Sequence, residues 1–317
     1  MAQLEATQLA PAVIARMDDC SDARFKQVMS ALVTHLHAFE LDVDLKPDEW
    51  MAGIEFLTAA GKMCDAKRQE FILLSDTLGL SMLVVAVEQA RGAKAAQAAG
   101  AATAAATSGA TPVSATEATV QGPFYWEGAP EMAPGSDITA GASGEPAWHS
   151  GRVTGTDGLP VAGCVLDIWS GDDEGMYDMQ HGADAGMRLR ARIRTDAQGR
   201  YRFWAIKPSY YPVPDDGPAG AMLRRMARHP NRPGHIHMMV YAPGYRKLTT
   251  HLFVSDSPYL DSDVVFGVRD SLIVDYERHP PGSSAPDGRT MDRTWHSASF
   301  DFKLVPEVAK AIAKAAA

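Results

Sequence analysis

The chain changes its hydrophobic period near its middle, and that change limits its possible folds more than any other feature. Before the alanine-rich stretch, apolar residues recur at three- and four-residue steps: Phe25, Val28, Met29, Leu32, Val33, Leu36 and Phe39 mark one face of a helix. After Val120 that period is gone. Short runs rich in Val, Ile, Phe, Tyr and Trp replace it, at Val165 to Trp169, Arg190 to Thr195, Tyr201 to Trp204, Ile236 to Tyr241 and Ser299 to Leu304. Turn clusters such as Thr156-Asp157-Gly158 and Asp196-Ala197-Gln198-Gly199 separate them. The pattern predicts a mainly β protein: an antiparallel β-sandwich preceded by an all-helical N-terminal domain.

The expected helices are local readings. One spans 21 to 40 with Ser21 as its cap; a second opens at Pro47-Asp48-Glu49, with proline and acids in the first turn, and runs to about Gly61. A third runs from about Asp65 to Leu78 and stops at Gly79, and a short fourth covers Met82 to Val87. Between Gly92 and Ala118 the composition narrows to Ala, Gly, Thr and Ser, which reads as a linker or tolerated insertion. The expected organisation is therefore a helical domain over 1–91, a linker over 92–118 and the sandwich over 119–317, with a short surface helix after Pro306. The helical domain carries more apolar surface than four short helices can bury, which points to a homodimer formed through it.

A net charge of −9 and the lack of any Lys/Arg-rich run argue against a nucleic-acid partner. No apolar run reaches the roughly 20 residues of a membrane span. Cys20, Cys64 and Cys164 are scattered and odd in number, which favours a reducing compartment over a disulfide framework. The first residues lack a basic stretch followed by an apolar one, so a cytoplasmic protein is expected.

Chemistry concentrates at Asn231-Arg232-Pro233-Gly234-His235-Ile236-His237-Met238. The stretch reads as a strand entered through a Pro-Gly turn, and a strand sends residues i and i+2 to one face. His235 and His237 would project side by side, as a metal with nitrogen ligands requires. His35 and His37 have the same spacing on a helix, where i and i+2 diverge. A zinc site would need further ligands such as His229 or His251; a facial triad would need a carboxylate such as Asp215, Asp216 or Asp256. Two tyrosines widen the choice. Tyr211 lies in a segment too proline-rich for a central strand, and Tyr177 ends the turn-forming loop Gly171 to Tyr177.

Gly122-Pro123-Phe124-Tyr125, the Gly-x-Tyr loop at 175–177, Tyr211 ahead of Pro214-Asp215-Asp216-Gly217-Pro218, and Arg232-Pro233-Gly234-His235-Ile236-His237 together resemble the intradiol ring-cleaving dioxygenases in order and spacing. The resemblance runs from about Ala23 to Val305. It implies one iron(III) per subunit, held by Tyr177, Tyr211, His235 and His237. Arg232, Tyr211 and His251 would take part in catalysis, and Leu73, Asp76, Val120, Gly122, Pro123, Phe124 and Val265 would meet the substrate. It further implies a homodimer whose helices enclose a phospholipid. Gly234 stands where the family commonly has alanine, a departure expected to matter little.

Within the family, His251 after Thr249-Thr250, the stretch Tyr259 to Val268, and Asp76 look most like the enzymes that open hydroxyquinol (benzene-1,2,4-triol) with dioxygen to 3-hydroxy-cis,cis-muconate, the enol of maleylacetate. A carboxylate at Asp76 could accept a hydrogen bond from a third ring hydroxyl; the competing reading is a surface acid. Cleavage of catechol or chlorocatechol is the near alternative. A non-catalytic β-sandwich binding module and a zinc hydrolase are the alternatives from other classes.

Overall fold

The computed structural model describes residues 5–65, 68–103, 114–181 and 186–307. The chain divides into two compact units, 1–59 and 60–317. The division falls ahead of the expected 1–91 boundary, so the later helices belong to the unit that carries the sheets. The expected helix after Pro306 falls on 308–317, outside the described residues.

The first unit holds α1 (Ala6–Ala15), α2 (Ala23–Val43) and all but the end of α3 (Pro47–Lys62). The sequence reading missed α1, whose interior Pro11 disguises it as a break. In α2 the cap is Asp22 rather than the expected Ser21: its carboxylate accepts the Phe25 N–H at 2.9 Å. The apolar stripe of α2 follows the predicted period, yet Phe25, Val28, Leu32, Leu36 and Phe39 all stay exposed in the single chain.

After the end of α3 the second unit continues with α4 (Glu70–Thr77) and α5 (Leu80–Thr103), separated at Gly79, whose φ of +77° lets the chain turn. Helix α5 runs far past the expected Val87 and takes in the first part of the alanine-rich stretch. Alanine propensity outweighs the interspersed glycines there. No single helix among the described residues is long and apolar enough to cross a membrane.

Two sheets form the sandwich. The first has the order β1 (Glu131–Met132), β4 (Arg190–Arg194), β3 (Val165–Trp169), β8 (His235–Tyr241), β9 (Leu248–Val254) and β10 (Ile273–Val274). The second has β11 (Glu277–His279), β12 (Trp295–Ser299), β2 (Pro146–Gly155) and β13 (Phe302–Leu304), with β5 (Arg200–Ile206) also paired to β2. The expected antiparallel order holds at the centre, where β4, β3, β8 and β9 alternate in direction. The margins are parallel: β1 on β4, β10 on β9, and both β12 and β13 on β2. The sheets are therefore mixed, because β12 and β13 return from the far end of the chain to lie along successive halves of one long strand.

Leu166, Ile168, Ile236, Met238 and Val240 from the first sheet pack with Phe203, Ala205, Phe302 and Leu304 from the second in one core. On β8 this core takes every second residue, so His235, His237 and Met239 face the other way. They are buried as well. A strand buried on both faces needs cover on its outer side, and the loops that supply it carry the tyrosines.

Candidate metal centre

Strand register places the histidines. His237 lies opposite Trp169 on β3 and opposite His251 on β9, and His235 lies opposite Phe253. The side-chain nitrogens of His235, His237 and His251 come within 4.8 Å of one another. Trp169 stacks on the His237 ring at 4.6 Å between centroids, which fixes its plane. The Nδ1 of His235 lies 2.7 Å from the Pro233 carbonyl; donating there leaves the Nε2 lone pair directed into the site.

The tyrosines arrive from loops. Tyr211 opens the two-residue strand β6 (Tyr211–Pro212), which pairs with β7 (Asn231–Arg232) and sets Tyr211 against Arg232. Its neighbour Tyr210 is 49% exposed, so of the two adjacent tyrosines Tyr211 is the one at the site. Tyr177 is fully buried and stacks on Phe124 at 4.5 Å. Gly175 allows the close approach of the two loops. It has φ of +78°, and a Cβ there would come 2.2 Å from the Cβ of Tyr211.

The four donor atoms form a tight set. The Tyr177 hydroxyl lies 2.9 Å from His237 Nε2, 3.2 Å from the Tyr211 hydroxyl and 3.5 Å from His235 Nε2. The Tyr211 hydroxyl lies 3.5 Å from His235 Nε2. Ligands about 2 Å from a common metal are separated by about 2.9 Å at right angles and about 3.5 Å at 120°. The observed spacings therefore suit a shared cation. Burial raises the phenol pKa of Tyr177 and Tyr211 and lowers that of all three imidazoles, His235 to about 3. Arg232 adds to the lowering at each imidazole. Without a cation, the protein has desolvated five polar rings around one point for little return. With one, phenolate and neutral imidazole become the stable forms. Among the described residues, His237 Nδ1 and His251 Nε2 find no hydrogen-bond partner.

The carboxylates considered as ligands are engaged elsewhere: Asp216 pairs with Arg68, Asp256 with Lys207 and Asp215 with Arg224. His229 accepts the Asn231 N–H at 3.1 Å. The site thus offers phenols and imidazoles rather than the carboxylate of a facial triad.

Four of the seven residues expected around the substrate fall into two apolar clusters. Leu73, Val120 and Val265 share an apolar cluster with Val213 and Val264. Phe124 packs with Trp169, Tyr177 and Tyr211. Gly122 lies over His237, since a Cβ on it would be 3.5 Å from His237 Cε1, and Pro123 is half-buried next to it. Asp76 is 2% exposed, which excludes the surface-acid reading. Burial raises its pKa, with Ser81 and Arg232 acting in the opposite direction. His251 Nδ1 lies 2.6 Å from the Thr119 hydroxyl.

Sequence reasoning missed two buried ion pairs. Asp178, next to Tyr177, binds Arg190 at 2.5 Å, and Arg190 also donates to the Phe124 carbonyl. Arg232 binds Asp263. Neither pair has a sequence spacing that would reveal it; a short 3₁₀ turn at Asp178–Gln180 presents the first carboxylate to Arg190 at the start of β4, and a long loop presents the second to Arg232. The expectation for Gly234 is corrected. A Cβ there would come 2.4 Å from the Pro208 carbonyl oxygen, so alanine requires the backbone leading to Tyr211 to shift.

The fold and this donor set define a ring-cleaving dioxygenase. The chain belongs to the intradiol dioxygenase family: residues 120–306 match the family model described as dioxygenase, and 22–96 the one described as catechol dioxygenase N terminus. It is 46% identical to hydroxyquinol 1,2-dioxygenase of Rhodococcus opacus, over 95% of this chain and 94% of that one. It is also 46% identical to 6-chlorohydroxyquinol 1,2-dioxygenase of Cupriavidus pinatubonensis, over 96% and 99%. The crystal structure of hydroxyquinol 1,2-dioxygenase from Pseudomonas putida DLL-E4 superposes with a TM-score of 0.81 at 44% identity, covering 95% of this chain and 99% of that one. Family membership removes the binding-module and zinc-hydrolase readings.

Proposed function

We propose that this enzyme opens the ring of hydroxyquinol with dioxygen, between its two adjacent hydroxyl-bearing carbons, to give 3-hydroxy-cis,cis-muconate. The observation that carries the reading is the buried convergence of the Tyr177, Tyr211, His235 and His237 donor atoms. These four residues would hold iron(III). Two phenolates are hard anionic donors suited to the ferric state, and ferric iron there supplies a Lewis acid that draws electron density from the diol oxygens and readies the ring for dioxygen.

The chain's own groups do the rest. Tyr211, set beside Arg232, is placed to accept a diol proton at its phenol oxygen. Arg232, with Nη1 3.1 Å from His235 Nε2, directs positive charge at the position where the ring becomes anionic. His251 Nε2, unpartnered and facing the pair of histidines, offers a further hydrogen bond at the metal. Asp76 would accept from the third ring hydroxyl, with Leu73, Val120, Gly122, Pro123, Phe124 and Val265 enclosing the ring. The identity with relatives named for hydroxyquinol and chlorohydroxyquinol cleavage supports that substrate.

The exposed apolar stripe of α2 supports a homodimer through the N-terminal helices, with a bound phospholipid as a further occupant that organic extraction would reveal. The three free cysteines support a cytoplasmic location.

Oxygen uptake on hydroxyquinol and on catechol tests the substrate. Hydroxyquinol is expected to be the better substrate by kcat/KM, and Asp76→Ala should narrow the gap. A preference for catechol would move the protein to the catechol enzymes.

A further inference from the structure

Arg232 has five N–H donors in a rigid fork, and the structure shows what occupies each side of it. Its Nε donates to Asp263 Oδ1 at 3.0 Å and its Nη2 to Oδ2 at 3.1 Å. That bidentate grip leaves Nη1 as the free edge, 3.1 Å from His235 Nε2. Both side chains are almost fully buried, so no water competes for the fork.

Asp263 is itself fixed by backbone. Its carboxylate accepts the Val265 N–H at 3.3 Å and the Gly267 N–H at 3.0 Å, and the Phe266 N–H donates to its carbonyl at 2.9 Å. Phe266 has φ of +58°, unusual for a bulky residue, and these bonds hold it there. The Val264 N–H donates to the Asn231 carbonyl, fastening the loop to the strand that carries Arg232. A Cβ at Gly267 would lie 3.0 Å from both Arg232 Nη2 and Asp263 Oδ2. The loop also carries Val264 and Val265, members of the apolar cluster with Leu73 and Val120.

We infer that Asp263 is a positioning residue for ring opening: it aims the free edge of Arg232 at the metal centre and locks that aim to the Val264–Val265 wall. The inference rests on the proposed role of Arg232 in the reaction. A buried ion pair needs such geometry whatever its role; what reaches beyond charge neutralisation is that this grip leaves Nη1 3.1 Å from His235 Nε2 and ties Arg232 to the loop that carries Val264 and Val265. The hydrogen bonds of the Asp263 carboxylate go to Arg232, Val265 and Gly267 rather than to the tyrosines or histidines of the site, so it orients the site through Arg232.

The test is a double-mutant cycle on the iron-loaded enzyme, reading kcat and KM for hydroxyquinol together with iron content and the visible spectrum. Asp263→Asn should retain iron and the visible band. Its kcat should fall by about 10- to 100-fold, as for partners that orient a site from behind, with KM changed by less than about threefold. Added to Arg232→Lys, it should cost less than about twofold more. Wild-type kcat in Asp263→Asn, or losses that multiply in the double variant, would overturn the inference. Wild-type kcat in Arg232→Lys would instead overturn the role of Arg232, and a wild-type protein that takes up no iron would overturn the metal reading; either removes the inference with it. Should Asp263→Asn fail to fold, Gly267→Ala presses a methyl group on the same fork with no loss of charge. It should lower kcat by roughly tenfold, and unchanged kcat there would overturn the inference equally.

Discussion

His35-Leu36-His37 lies on α2 and His235-Ile236-His237 on β8, so the chain carries one spelling on two backbones. On the helix, His35 is exposed and His37 half-buried, and consecutive positions turn away from each other. On the strand both rings are buried on one face with centroids 4.9 Å apart, and His251 joins them across the ladder. A pair of ligand-type residues becomes a site when the backbone makes them parallel and the neighbouring elements exclude water. The same contrast separates the two units. The helical one leaves its apolar stripe open, whereas the sheets bury both the hydrophobic and the polar face of β8.

The largest effect should come from breaking the strand pair. Replacing His235 and His237 with alanine should abolish stoichiometric metal and turnover, while the same replacement of His35 and His37 should leave both intact and change stability by no more than about 0.5 kcal/mol. Metal analysis, oxygen uptake and denaturant unfolding on the two double variants make the comparison. Loss of metal from the helical variant would mean that spacing, rather than backbone, governs.

Next is the support behind Tyr177. Asp178→Asn leaves Arg190 buried without its carboxylate and should cost about 3–5 kcal/mol in denaturant unfolding. A change below about 1 kcal/mol would show the pair to be dispensable.

His149 on β2 extends the contrast to acid. It is buried in the sandwich, stacked on Phe203 at 4.8 Å, and burial lowers its pKa to about 4. Its folded value lies below the unfolded value of about 6.5, so its contribution is complete above 6.5 and lost as pH falls toward 4. The loss amounts to roughly 3 kcal/mol over that window. His149→Phe should flatten this part of the stability profile, read by urea unfolding at stepped pH; an unchanged slope would reject the assignment.

Gly234→Ala is the smallest of these effects, about 1–3 kcal/mol, because the backbone at Pro208 has to move. Unchanged stability and metal content would show that the loop yields freely.

Much of this was legible in the residues themselves. The α2 stripe, the turn clusters, the His-x-His strand and the stiff segment around Tyr211 each depend on neighbours within a few positions. The burial of Asp76 was legible only through resemblance. What stayed hidden depends on register, loop conformation and long-range return: His251 opposite His237, the Arg190–Asp178 and Arg232–Asp263 pairs, and the parallel seating of β12 and β13 on β2. Alanine composition misled at α5, since a low-complexity run and a helix can be written in the same residues.

One ferric ion is proposed to be bound by His235 and His237 of β8 together with Tyr177 and Tyr211 from the covering loops. Iron analysis combined with visible absorption of the purified protein tests it most directly. One iron per chain with a tyrosinate-to-iron charge-transfer band, weakened on replacing either Tyr177 or Tyr211 with phenylalanine, is the expected result. An iron-replete protein without that band would contradict it.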